Sequence, residues 1–136
     1  MKKPRYKQVA VLPYRKHGKG IDVLLITSRE TKRWVIPKGW PMKGKKDWNA
    51  AAIEALEEAG VTGEVGKKSI GSYYYVKRRK SGDLDVAVTV YPLEVRTELK
   101  IWPEKAERKR RWFSAQAAAA VVTDDGLDAI IVATLT

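Results

Sequence analysis

Glu57 and Glu58 lie three and four residues beyond Glu54, in a stretch rich in alanine. On a helix, residues with that spacing share one side, so the three carboxylates fall within a single turn. Like charges so close repel unless something positive joins them. A hard cation such as Mg²⁺ suits oxygen ligands and commonly bridges carboxylates to substrate phosphates. Cysteine is absent and His17 is the lone histidine, which excludes disulfides, thiolate zinc sites, cysteine nucleophiles and a histidine metal cluster. Any metal is therefore held by oxygen. Such a cluster is either a solvated face whose glutamates pair with nearby lysines or a metal site that could assist cleavage of a phosphorylated substrate, an ionised glutamate taking a proton from attacking water.

The partners should be anionic. The chain carries 27 Lys and Arg against 16 Asp and Glu, a net charge of +11, which suits nucleic acid, an acidic membrane or a highly phosphorylated small molecule. Arg29, Lys32, Arg33, Lys38, Lys43, Lys45 and Lys46 lead into and form the loop before the acidic stretch. Arg108, Lys109, Arg110 and Arg111 precede Trp112 and Phe113. Both clusters hold the side chains best suited to phosphate. In Tyr73, Tyr74 and Tyr75, strand alternation sends the first and third to one face and the second to the other. A core or interface role is favoured for them, whereas Trp40, in the loop, is the better candidate for a ligand contact.

These residues need elements to position them. At 136 residues and 44% hydrophobic content, the chain can bury one core, so residues 1–136 are expected to form a single domain. No run approaches the roughly 20 apolar residues of a membrane span, and the basic start Met1 to Lys7 leads into a strand pattern. A soluble cytoplasmic protein without a membrane partner is expected. Gln8 to Pro13 and Ile21 to Thr27 read as strands joined by a basic tip, Arg15 to Gly20, with Trp34-Val35-Ile36 as a third short run. A loop rich in Gly, Pro and Lys follows, from Pro37 to Lys46. Asp47 is the expected N-cap of a helix that Gly60 ends, with Trp48, Ala52, Ala55, Leu56 and Ala59 facing the core and the glutamates opposite. Ala50 and Ala51 share the glutamates' side, small enough to let a bulky ligand approach. Ser69 to Val76 and Val86 to Val95 read as strands joined by a turn at Lys80 to Asp83, and Arg111 to Phe113 as a short strand. Ser114 caps a helix through Val121, and Asp124 or Asp125 starts another, Leu127 to Leu135. This order favours an α/β (α+β) fold with a mixed sheet over alternating βαβ units.

Pro37-Lys38-Gly39 through Glu54-Ala55-Leu56-Glu57-Glu58-Ala59-Gly60-Val61 resembles the Nudix hydrolase box, G-x5-E-x7-R-E-U-x-E-E-x-G-U with U apolar. The resemblance implies an α/β/α sandwich over the whole chain, Mg²⁺ or Mn²⁺ as cofactor, and cleavage of a diphosphate bond. It makes Glu57 and Glu58 the main metal ligands, with help from the Gly39 carbonyl, and Glu54 either a further ligand or the general base. Two positions depart from the box, Lys45 for its first glutamate and Ile53 for its arginine. In the family these two help to orient the carboxylates, so losing both removes an ion pair and leaves no orphan charge. Losses of such supporting partners typically cost about 10 to 100-fold in metal affinity or activity. The segments R-W-V-I-P-K-G and R-K-R-x-W-F look most like the branch that cleaves diphosphoinositol and diadenosine polyphosphates. Their places in the two basic clusters, and that of Trp40 in the loop, make Arg29, Lys32, Arg33, Lys38, Trp40, Arg108 and Arg110 the expected substrate contacts. A nucleic-acid-binding module and a non-catalytic relative that senses a phosphorylated ligand are the alternatives; a phosphorylated small molecule is favoured over nucleic acid as partner.

Overall fold

Val9–Leu12 and Val23–Ile26 are buried at every residue, not at alternate ones. Successive strand residues point to opposite faces, so both faces of this sheet must be covered. In the computed structural model, which describes residues 6–134, these runs lie in β1 (Tyr6–His17) and β2 (Gly20–Thr27). The remaining elements are β3 (Trp34–Val35), β4 (Lys38–Gly39), α1 (Asp47–Ala59), β5 (Val61–Val65), β6 (Gly71–Lys77), β7 (Leu84–Glu98), β8 (Arg110–Ser114), α2 (Ala115–Val121) and α3 (Leu127–Thr134).

The sheet runs β3-β2-β1-β7-β5, with β4 also on β1, β6 on β7 and β8 on β2. It is mixed: β1 and β7 pair in parallel from Tyr6↔Val86 to Tyr14↔Glu94, and the other pairs are antiparallel. One face packs Ala10, Leu12, Val23 and Leu25 beneath α2 and α3, against Ala118, Leu127 and Ile131. The other packs Val9, Val11, Leu24 and Ile26 beneath the alanines of α1. The result is an α/β/α sandwich. Among the described residues no helix is long and apolar enough to cross a membrane.

Several boundaries differ from expectation for local reasons. The β1–β2 ladder continues to His17↔Gly20, and across it Asp22 lies 3.1 Å from both Arg15 Nε and His17 Nδ1. Lys38–Gly39, expected in a loop, pairs with Val9 and Ala10. β5 carries no alternating pattern; Gly63 sits at an irregularity of its ladder and a Cβ there would fall 1.9 Å from the Glu94 carbonyl oxygen. The N-cap of α1 is Lys46, without a side-chain cap, and Asp47 lies in the first turn, where its charge suits the helix dipole. Ser114 caps α2 as expected, accepting from the Ala117 N–H at 3.1 Å. Leu135 of the expected last helix, like Met1, lies outside the described residues.

The faces of α1 depart furthest from expectation. Its buried residues are Ala50, Ala51, Ala55, Glu58 and Ala59, with Ala52 and Leu56 only half-buried. Ala50 and Ala51 thus lie on the sheet and leave no room for a ligand. Side chains that end at Cβ let the helix lie close on the strands, while Trp48 packs at the margin of this core near Tyr91. The buried stripe is therefore turned toward the glutamates, and Glu58 goes down with it.

Candidate active site

Between α1, β4 and the segment joining β7 to β8 lies an open cleft of about 310 Å³. Gly39 of β4 forms part of its lining, and its identity is dictated by what faces it. A Cβ there would lie 1.7 Å from Glu54 Oε2, so a side chain at this position would displace the carboxylate. Glu54 and Glu58 stand on the α1 wall, Glu104 and Arg108 on the connecting segment, Gln8, Tyr75 and Lys77 on β1 and β6, and Arg29 and Trp40 complete the lining.

The segment 99–109 is docked onto the end of α1 by the carbonyls that a helix terminus leaves unpaired. Glu104 N–H donates to the Glu57 carbonyl at 3.0 Å and Leu99 N–H to that of Gly60 at 2.7 Å. Trp102 Nε1 donates to the Glu58 carbonyl at 3.2 Å. Arg110 donates to the carbonyls of Ala59 at 2.9 Å, Gly60 at 3.2 Å and Leu99 at 2.6 Å, with its guanidinium 4.0 Å from the Trp102 ring centroid. Gly60 closes the helix in the left-handed region, at φ 65°, and the Trp102 ring occupies the space a Cβ would need.

The carboxylates are electrostatically loaded. Burial, reinforced by the charges of Glu57 and Glu104 and a hydrogen bond with Glu57, pushes Glu54 up to about 7. Glu58, only 8% exposed, is also pushed up to about 7, burial outweighing the opposing pull of Arg108. Glu58 Oε1 accepts from the Lys38 N–H at 3.3 Å and lies 3.8 Å from Arg108 Nη2. Burial of the Lys38 ammonium, which sits 4.7 Å from the Tyr75 ring centroid, holds it below the usual lysine range against the pull of Asp124 and Glu58. Such crowding of acid oxygens fits a divalent cation, which would relieve both desolvation and repulsion. Among the described residues no three acidic or histidine side chains already converge around one point. Glu57 is exposed and shares a hydrogen bond with Glu54.

The cleft gathers some of the residues expected to contact substrate and not others. Arg29, Lys38, Trp40 and Arg108 line it. Lys32 is exposed, at a positive φ of 56°, and is not in the lining. Arg33 is also outside it, committed to Asp124 at 2.9 Å and Thr123 at 3.2 Å. Arg110 is engaged in clamping α1, a correction to its expected role: its position two residues from Arg108 reads as basic patch, but its donors are spent on backbone carbonyls. Lys43, Lys45 and Lys46 are exposed and stay outside the cleft lining.

The pattern of the NUDIX domain matches this chain over residues 4–132. The chain belongs to the Nudix family. It is 40% identical over 119 residues to Nudix hydrolase 21, chloroplastic, of Arabidopsis thaliana, covering 83% of this chain and 58% of that relative. Over 118 residues it is 31% identical to diphosphoinositol polyphosphate phosphohydrolase 3-beta of Bos taurus, covering 85% of this chain and 68% of the relative. The solved structure of a C. elegans Ap4A hydrolase binary complex has the same fold, with a TM-score of 0.67 at 21% identity over 93% of this chain and 92% of that one. The chain spans only about half the length of the first plant relatives it matches, 58%, 52% and 47%.

Within the Nudix fold, β4 and α1 carry the box, and the two departures are visible as geometry. Lys45 is exposed and Ile53 is half-buried, so α1 has no cation of its own beside its glutamates. Sequence reading missed Glu104, Gln8 and Lys77, and favoured a core or interface role for Tyr75. Glu104 lies 46 residues beyond Glu58, in a segment that also carries Lys100, Lys105, Arg108 and Lys109, and only the docking of that segment onto α1 brings its carboxylate to the cleft. For Tyr75 the strand alternation was a usable signal: Tyr73 is in the core, Tyr75 faces the same side at the cleft, and Tyr74 is exposed.

Proposed function

We propose that this Nudix protein hydrolyses a phosphoanhydride bond in a nucleoside polyphosphate, with Glu57, Glu58 and the Gly39 carbonyl holding Mg²⁺ or Mn²⁺ and Glu54 beside them as the general base. One observation carries the reading. Glu54 and Glu58, both pushed up to about 7, share a cleft with Arg29, Lys38 and Lys77, so an acid wall that calls for a cation faces bases that call for phosphate. When bound, a divalent cation supplies charge neutralisation on the phosphates and makes water more acidic. Lys38, Lys77 and Arg29 bind and orient the polyphosphate chain. Glu54, on the acid wall of the cleft, takes the proton of the attacking water as the water oxygen bonds to phosphorus and the bridging P–O bond breaks. Trp40, 42% exposed in the lining, offers a face for a nucleobase.

A second reading, a diphosphoinositol polyphosphate as substrate, is favoured by the named activity of the Bos taurus relative. The test is phosphate release with Mg²⁺ or Mn²⁺ from nucleoside triphosphates, diadenosine polyphosphates, diphosphoinositol polyphosphates and 5′-triphosphorylated RNA, with Glu57→Gln and Glu58→Gln as controls. Turnover of dinucleoside or nucleoside polyphosphates that needs the metal and is lost in both variants supports the proposal. Full activity in either variant sinks the metal assignment. Metal-free nucleic-acid binding that ignores Glu57, with no turnover, would instead make this a binding module.

A further inference from the structure

Arg108 is the cation that α1 lacks. Its side chain is only 10% exposed, and its guanidinium is occupied by the protein. Nε donates to Glu104 Oε1 at 2.8 Å, Nη1 to the Thr27 carbonyl at 3.2 Å, and Nη2 faces Glu58 Oε1 at 3.8 Å. The planar guanidinium thus spans three elements: the end of β2, the segment 99–109, and α1. A fork with fixed donor directions can hold two carboxylates and a carbonyl at set spacing, which one flexible ammonium cannot. Nε and Nη1 are thereby hydrogen-bonded within the protein, and Nη2 is turned toward Glu58.

We propose that Arg108 is a positioning residue, holding Glu104 and Glu58 where a divalent cation can reach both, in place of a charge on α1 itself. The inference rests on the proposed metal site, to which it adds Glu104 of the cleft lining. It also fixes a direction. If Arg108 were only a charge near the site, it would repel a second cation, and removing it would tighten metal binding. If it sets geometry, losing the fork loosens the site even when the charge is kept.

The experiment is Mn²⁺ binding to the substrate-free protein, measured by titration calorimetry for the wild type, Arg108→Lys, Glu104→Gln and the double variant, with melting temperature in chelator as the folding control. The expected result is Mn²⁺ binding about 10 to 100-fold weaker in Arg108→Lys, with a melting temperature near that of the wild type. On the Glu104→Gln background the same substitution should cost far less, because part of what it positions is gone; a purely structural arginine would not show that coupling. Arg108→Lys binding Mn²⁺ as tightly as the wild type, or more tightly, overturns the proposal while leaving the metal site standing. A wild type that does not bind Mn²⁺ overturns the metal site, and the role of Arg108 with it.

Discussion

Glu54 and Glu58 hold their protons more tightly in the folded protein than their ordinary value of 4.5 would allow, both near 7. Between about pH 4.5 and 7 the native state therefore binds more protons than the unfolded chain. Stability from this source is complete below the lower value and is lost as the pH rises through the upper one. In chelator, the wild type should lose melting temperature over that window more steeply than Glu54→Gln/Glu58→Gln, whose side chains cannot ionise. Added Mn²⁺ at pH 8 should restore the wild type and leave the variant unmoved. Parallel curves for the two proteins would mean that burial does not strain these acids. At this scale the spacing of Gly39, Glu54, Glu57 and Glu58 was legible, because one helix and one short strand carry them all. The burial of Glu58 was not. It follows from four alanines letting α1 settle onto the sheet, and the larger Trp48 and Leu56 had suggested a different stripe. Glu104 was invisible for a different reason: its place depends on a contact between segments far apart in the chain.

The helix is where those separated segments meet. Leu99, Trp102, Glu104 and Arg110 together satisfy the terminal carbonyls of α1, so the acid-bearing segment and the acid-bearing helix are positioned by the same bonds. Arg110→Ala leaves the Ala59, Gly60 and Leu99 carbonyls without their charged donor and removes the stack on Trp102. Bonds to a charged group contribute about 1.5 to 3 kcal/mol each when buried. Arg110 is half-buried, so a total loss of about 1 to 3 kcal/mol is expected in denaturant unfolding. Turnover should fall as well, since Glu104 is released from its docked position. A variant of unchanged stability would show the clamp to be dispensable. Arg110→Lys should recover only part of the loss, because one ammonium cannot reach three carbonyls. The long buried strands and α1 could be read from their apolar runs and from Gly60. β4 and β5 could not, because two residues in one and a Gly-centred irregularity in the other leave no periodic pattern to read.

Over the whole molecule, the charge and the cleft are not the same feature. The cleft lining holds Arg29, Lys38, Lys77 and Arg108 against Glu54, Glu58 and Glu104, a near balance, whereas the chain as a whole carries +11. The excess lies elsewhere on the surface, including the exposed Lys43, Lys45 and Lys46 on the loop that joins β4 of the cleft to α1. If the proposed function holds, charges so placed would not hold the bound substrate but would draw an anionic one toward the opening, over a range set by a Debye length of about 10 Å at 0.1 M salt. Replacing all three lysines by serine should therefore lower kcat/KM severalfold at low ionic strength, on whichever polyphosphate the wild type turns over fastest, with kcat unchanged. The deficit should close as salt rises toward about 0.5 M, where the wild type loses the same advantage. A fall in kcat, or a deficit that persists in high salt, would mean that these lysines touch the bound substrate, and the loop would then have to be counted as part of the site.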